Sequence, residues 1–334
     1  MRRVISWLIV LTLLAGVGYV AYVGYEGSRQ AVSVDELRSR DCRTPDVIAG
    51  WEYEAINYDI ADDEALRTAN PDMTDCDGQG HAAGDELVSA DGVTRLAGWY
   101  VPAANGAGRE AATIVLVHGY AANKSDILGY AAGLHESFNL VAFDLRNGGR
   151  SSGTQTTYGV REHDDVRAVI DWVEREKGAT WIGVLGNSMG AATALHEARS
   201  DPRVRALALD SMHTRIGYQL ERRLERAGHP PYPGTWAILA GAFVRTGGLN
   251  LGDADPADAM AEVGGRPVLL THGTADDENT PDRTEAFAAD LGAAGVPVQV
   301  EWCEGATHGR VEDVCPDQYA AWVRDFFTRA LDRR

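Results

Sequence analysis

Residues 181–199 read Trp181-Ile182-Gly183-Val184-Leu185-Gly186-Asn187-Ser188-Met189-Gly190-Ala191-Ala192-Thr193-Ala194-Leu195-His196-Glu197-Ala198-Arg199. The first five residues suit a buried strand. Residues 186–190 suit a sharp turn, and the Ala-, Leu- and Glu-bearing remainder suits a helix. Gly-x-Ser-x-Gly is a weak pattern alone, but between a strand and a helix it is the setting for an activated serine. A strained turn projects the hydroxyl out of the fold, and flanking glycines keep Cβ atoms out of the strand–helix crossing. The helix brings free N–H groups and its positive dipole end to charge developing at the turn. Ser188 is therefore the candidate nucleophile.

A serine hydroxyl needs a base, and the base needs an orienting group. Both kinds of residue follow Ser188, at the ends of later apolar runs. The candidate base is His308, in Glu304-Gly305-Ala306-Thr307-His308-Gly309-Arg310. The candidate acid is Asp276, in Thr271-His272-Gly273-Thr274-Ala275-Asp276-Asp277-Glu278, with Asp210 and then Asp277 as lower-ranked alternatives. His118 and His272 each precede a glycine and read as supporting hydrogen-bonding residues. With His308 they form no spacing typical of a metal site, so neither a metal nor a cofactor is expected. An oxyanion hole needs two N–H donors. Met189 N–H follows from the turn, and Tyr120 N–H, in Val117-His118-Gly119-Tyr120, is the second candidate; the Tyr120 ring is also a candidate pocket wall.

Further out, residues 112–117, 140–144, 204–209, 268–271 and 296–303 are short apolar runs that read as strands. Residues 161–177 and 316–331 carry helical periodicity. Residues 86–101 read as a hairpin turning at Asp91-Gly92. Strands alternating with helices predict an α/β fold, a mostly parallel sheet covered on both faces. The alternation stops at about 211–255, where two helical stretches flank Pro230-Pro231-Tyr232-Pro233. That insertion reads as a small cap over the strand ends.

Residues 4–25 are almost unbroken apolar sequence behind Arg2 and Arg3, long enough to cross a bilayer, with Trp7, Tyr19, Tyr22 and Tyr25 towards the ends. No Ala-x-Ala site follows, so residues 1–25 read as an uncleaved anchor, with a signal peptide as the alternative. Residues 26–84 read as a stalk and an extension packed on the main domain, which begins at 85. The four cysteines, Cys42, Cys76, Cys303 and Cys315, form no CxxC pair. They suit two disulfides in an exported chain, a single-pass protein with an extracytoplasmic domain or a secreted one. Three pairings are possible, and proximity favours Cys303 with Cys315 and Cys42 with Cys76. A formal net charge of −18 argues against nucleic acid as a partner. The sequence sets no oligomeric state.

Taken together, Leu116-Val117-His118-Gly119-Tyr120, Asp144-Leu145-Arg146-Asn147-Gly148-Gly149-Arg150-Ser151, Gly159-Val160-Arg161-Glu162-His163-Asp164-Asp165-Val166, the Ser188 turn, His272-Gly273-Thr274-Ala275-Asp276 and Ala306-Thr307-His308-Gly309 resemble the α/β-hydrolase superfamily, specifically its short-cap serine hydrolases. The resemblance runs from about residue 85 to the end. It implies a Ser188-His308-Asp276 triad, an acyl-enzyme intermediate, and a small-molecule ester or lipid-like substrate. Amide or peptide cleavage, acyl transfer, and a non-catalytic binding domain are the alternatives. One departure stands out: Gly148-Gly149 follows Asn147 where the family often places a histidine before the glycine, which puts the packing of that loop in question.

Overall fold

The computed structural model describes residues 2–33, 43–56, 87–104, 112–258 and 262–333. Cys42 and Cys76 lie outside them, and so does their expected pairing.

The chain opens with helix α1 (Arg2–Val32), followed by the short α2 (Pro45–Ala49) and strand β1 (Glu54–Ile56). The hairpin strands β2 (Leu87–Val88) and β3 (Arg95–Leu96) precede β4 (Gly98–Val101) and β5 (Ala112–Val117). Then come α3 (Lys124–Leu128), β6 (Asn139–Phe143), α4 (Glu162–Lys177), β7 (Trp181–Asn187), α5 (Met189–Ser200) and β8 (Val204–Asp210). Helices α6 (Ile216–Arg226) and α7 (Pro231–Arg245) occupy the insertion. The chain closes with β9 (Val268–Gly273), α8 (Pro281–Ala293), β10 (Val298–Cys303), α9 (Val311–Val314) and α10 (Pro316–Asp332).

Among the described residues, eight strands form the main sheet in the order β1-β4-β6-β5-β7-β8-β9-β10. The pairs β1–β4 and β4–β6 are antiparallel, and the others are parallel. Every residue of β5, β6 and β9 is buried, as strands covered on both faces require. Register aligns Asn187 with Asp210, Asp210 with Thr271, and Cys303 with Gly273. The carboxyl ends of β7 to β10 thus share one edge, the usual place for a site in such a sheet.

Two findings alter the sequence expectation for the N-terminal region. Helix α1 runs past residue 25 to Val32, so residues 26–32 are helix rather than stalk. Val23, Ala31 and Val32 are buried, whereas Trp7 is 68% exposed and the apolar residues around it are similarly open. Residues 54–56, within the stretch read as a packed extension, form an edge strand of the main sheet. Helix α1 is long and apolar enough to cross a membrane.

Candidate active site

Strand β7 delivers the chain to Ser188 with nowhere to continue straight. Ser188 has φ 51 and ψ −114, a strained conformation for a residue with a side chain. A Cβ at Gly190 would stand 2.1 Å from Val117 O, and one at Gly186 2.5 Å from Gly190 O. Only glycine lets β5, β7 and α5 meet this closely. Ser188 N–H donates to Asp210 O at 2.8 Å, which ties the turn to β8.

Three loops from the shared edge meet at this serine. Ser188 Oγ lies 2.8 Å from His308 Nε2, and His308 Nδ1 lies 2.8 Å from Asp276 Oδ2. Asp276 Oδ1 accepts from Glu278 N–H at 2.8 Å and Asn279 N–H at 2.9 Å, so its own turn aims the carboxylate. The acid and base loops interlock. Ala275 N–H donates to Ala306 O at 3.0 Å, Thr274 N–H to Cys303 O at 2.9 Å, and a Cβ at Gly273 would stand 2.1 Å from Ala306 O. A disulfide joins Cys303 to Cys315 across the segment that carries His308.

The other acids are occupied elsewhere. Asp210 is fully buried, accepting from Asn187 Nδ2 at 2.7 Å and Thr271 Oγ1 at 2.8 Å. Burial raises its carboxyl pKa to about 6 against those hydrogen bonds. Asp277 is exposed and pairs with Arg226 at 2.8 Å.

Burial pulls the His308 imidazolium down, but the hydrogen bond and charge of Asp276, with the charge of Glu278, outweigh it and hold its pKa above the usual value. Glu278 Oε2 stands 4.0 Å from His308 Nε2. Despite burial, Arg223 and then His308 and Arg226 lower the Glu278 pKa to about 2. Glu278 is part of the site's electrostatics, and nothing in its sequence position separates it from any acid beside Asp276.

The loop after β5 passes directly beside Ser188. A Cβ at Gly119 would stand 3.0 Å from Asn187 Oδ1 and 3.5 Å from Ser188 Cβ. His118 braces this loop: Nδ1 contacts Gly119 O at 2.8 Å, and Nε2 accepts from Leu145 N–H at 2.9 Å. Burial lowers its pKa, so it is a neutral support. His272 plays the same part at the acid loop, with Nε2 2.7 Å from Asn279 O. Met189 N–H opens α5, among the amides that a helix leaves without an intrahelical acceptor. Tyr120 follows Gly119; its ring stacks on Tyr158 at 5.4 Å, and its hydroxyl donates to Gln30 O of α1.

The glycines at 148 and 149 fit the loop that holds them. A Cβ at Gly149 would stand 2.3 Å from the Asp144 carboxylate, and one at Gly148 3.0 Å from the His118 ring. Arg150 N–H and Lys124 Nζ both bind Asp144 Oδ2, at 2.8 and 2.5 Å, and close the loop.

A cavity of about 300 Å³ reaches Tyr120, the residue after Gly119. Its walls include Tyr22 and Val23 of α1, Tyr120, Tyr158, and Arg223 and Leu224 of α6. The Arg223 guanidinium lies 5.4 Å from the Tyr120 ring centroid and 3.2 Å from Glu278 Oε2. A larger cavity of about 510 Å³ borders Asn187 and Gly309, with Asp126, Glu312 and Asp313 among its walls. Among the described residues, no cluster of His, Cys, Asp or Glu suits a metal ion.

The α/β-hydrolase-fold family model matches residues 112–246, and the prolyl oligopeptidase family model matches residues 248–334. The protein YfhR of Escherichia coli (strain K12), itself uncharacterized, is 30% identical over 198 residues, or 57% of this chain and 62% of its own length. The chain therefore spans less than two thirds of that relative. The Pyrococcus furiosus esterase Pf2001 superposes with a TM-score of 0.65 at 21% identity, covering 87% of this chain and 96% of that one. The Pyrococcus horikoshii acylaminoacyl peptidase superposes at 0.56 and 18%, covering 74% of this chain and 41% of that one. These structures share the fold.

Proposed function

The chain belongs to the α/β-hydrolase superfamily, and from that premise we propose that it is a serine hydrolase cleaving carboxylic esters through Ser188, His308 and Asp276. The observation that carries this reading is the continuous hydrogen-bonded line from Ser188 Oγ through His308 to Asp276, both links at 2.8 Å, at a strained turn.

Ser188 Oγ attacks the ester carbonyl carbon as His308 Nε2 takes its proton. Asp276 holds Nδ1–H and stabilises the imidazolium. The N–H groups of Met189 and Tyr120 receive the oxyanion. Collapse expels the alcohol, which takes the proton from His308, and leaves the acyl group on Ser188. Water then attacks the acyl carbon and gives a proton to His308. The carboxylic acid departs as that proton returns to Ser188 Oγ. No cofactor enters these steps.

The N-terminal helix serves in this reading as an uncleaved single-pass anchor, with the hydrolase domain outside the cytoplasm. Its packing against the domain supports retention, and the Cys303–Cys315 disulfide supports an oxidising compartment. The match to the prolyl oligopeptidase model keeps amide cleavage as a second reading. Full-length protein and its Ser188→Ala variant, treated with a fluorophosphonate probe and p-nitrophenyl esters, test the assignment. Labelling and turnover that vanish in the variant support it. Labelling with amide but no ester turnover favours the second reading. Absence of labelling in folded protein leaves a non-catalytic binding domain.

A further inference from the structure

The cavity of about 300 Å³ is bounded on one side by the same helix that is apolar enough to cross a bilayer. Its lining from α1 falls at Tyr22, Glu26 and Gln30 and at Val23, Gly27 and Ala31, two rows of spacing four on one helical face. An adjacent stripe of α1 seats on α7. A Cβ at Gly24 would stand 2.9 Å from Ala237 Cβ, and one at Gly241 2.5 Å from Ser28 Oγ. Arg245 Nε donates to Ser28 Oγ at 2.9 Å. The pairing orders Val23 by Gly234, Gly24 by Ala237, and Ser28 by Gly241, so α1 and α7 run parallel.

The cavity therefore has a direction. One end lies at Tyr22, where α1 continues into its exposed apolar stretch. The other lies at Tyr120, the neighbour of the Gly119 that borders Ser188, and at Arg223, which pairs with Glu278, itself 4.0 Å from His308. The first turns of α7 stand level with Tyr22 and present Tyr232 and Trp236, 71% and 65% exposed. Exposed Tyr and Trp beside an apolar span is the arrangement that suits a membrane–water boundary. Glu26, Gln30, Arg223 and His229 supply polar lining, and the other lining residues are apolar, aromatic or glycine.

Building on the serine-hydrolase reading, we propose that this cavity is an acyl-chain site and that the substrate is a single-chain ester amphiphile drawn from the bilayer that holds α1. The chain lies between α1 and α6, its apolar end towards Tyr22 and its ester beyond Tyr120 at Ser188. A volume near the bottom of the ~300–1,000 Å³ range of ligand pockets suits one chain rather than two. Helix α1 is thus both anchor and wall of the site.

The test uses full-length protein reconstituted in phosphatidylcholine vesicles and p-nitrophenyl esters from acetyl to dodecanoyl. Each methylene that enters the cavity is expected to raise kcat/KM about fourfold until the space is filled, the equivalent of the ~0.8 kcal/mol of its burial. Val23→Phe, on the α1 wall, should lower the decanoyl-to-butanoyl ratio of kcat/KM at least tenfold. Leu224→Ala, on the opposite wall, should move the preferred length upward, and it keeps the test decisive if Val23→Phe fails to fold. Labelled protein whose ratio is unmoved by either change overturns the acyl site and leaves the serine-hydrolase reading standing. Unlabelled native protein sinks both. Decanoyl ester should turn over faster in the protein's own vesicles than in separate, protein-free ones; equal rates would overturn delivery from the bilayer.

Discussion

The crest around Ser188 and the wall made by α1, α6 and α7 meet at Tyr120 but are built on opposite principles. The crest is over-determined by backbone. Glycines at 186, 190 and 273 sit where any Cβ would collide with a main-chain atom, and every polar group at the triad has a named partner. The wall is assembled from small and apolar side chains more than two hundred residues apart in sequence, such as Gly24 with Ala237 and Ser28 with Gly241. A crest of this kind tolerates almost no change, whereas such a wall can be reshaped side chain by side chain. In the proposed function, chemistry is held fixed while substrate preference is left open to adjustment.

The comparison can be broken most directly at the crest. Ser188→Ala should lower kcat by about a millionfold, read by ester turnover with active-site labelling as control. A loss of less than about tenfold would mean that the chemistry lies elsewhere. Asp276→Asn should cost about ten-thousandfold with little change in fold, because the amide no longer fixes the His308 tautomer. Asp210→Asn should not approach that loss, since Asp210 holds Asn187 and Thr271 rather than the imidazole. Equal losses would blur the assignment of the acid.

A smaller effect is expected from the staple beside the base. Opening Cys303–Cys315 by the double substitution to Ser should cost about 3 kcal/mol from the entropy of its short loop, seen as a lower thermal midpoint. An unchanged midpoint would show that the interlocked loops suffice. At the wall, Gly24→Leu forces a side chain into Ala237 and should cost about 1–3 kcal/mol, again read thermally. No change would mean that α1 and α7 are not packed as described.

The smallest and sharpest prediction concerns pH. In the proposed mechanism the base must be neutral to accept the Ser188 proton, so activity should fall as pH drops through the His308 pKa, which lies above its usual value. Glu278→Gln removes one of the charges that raise it. The acid limb of the kcat/KM profile should therefore move to lower pH. A limb that stays in place would remove Glu278 from the electrostatics of the site.

Much of the crest was legible in sequence because its constraints are local. A strand, a Gly-x-Ser-x-Gly turn and a helix announce themselves within twenty residues, and strand-end loops carry the candidate acid and base that the structure brings to Ser188. The choice among the acids was not legible to the same degree. Asp276 and Asp277 are adjacent, and only the turn that presents Asp276 Oδ1 to two backbone N–H groups sends its other oxygen to His308 while Asp277 faces Arg226. The wall was illegible for a different reason. Residues 26–32 carry charges and no clear apolar period, so their helical continuation and burial depend on α7, a partner no local pattern reveals. Strand β1 was hidden likewise, because three residues become a strand only against the open edge of β4.

The hydroxyl of Tyr120 gives its hydrogen bond to the Gln30 carbonyl, so the loop beside Ser188 is tied to the end of the N-terminal helix. A domain on a slack tether would sample many heights above a bilayer. A domain tied in this way keeps one. With α1 rising about 1.5 Å per residue, the stretch from Val23 to Val32 sets a distance of about 15 Å along the helix between its exposed apolar part and the end tied to Tyr120. In the function proposed above, α1 and the Ser188 loop would together act as a ruler, selecting esters by how far their scissile bond stands from the membrane.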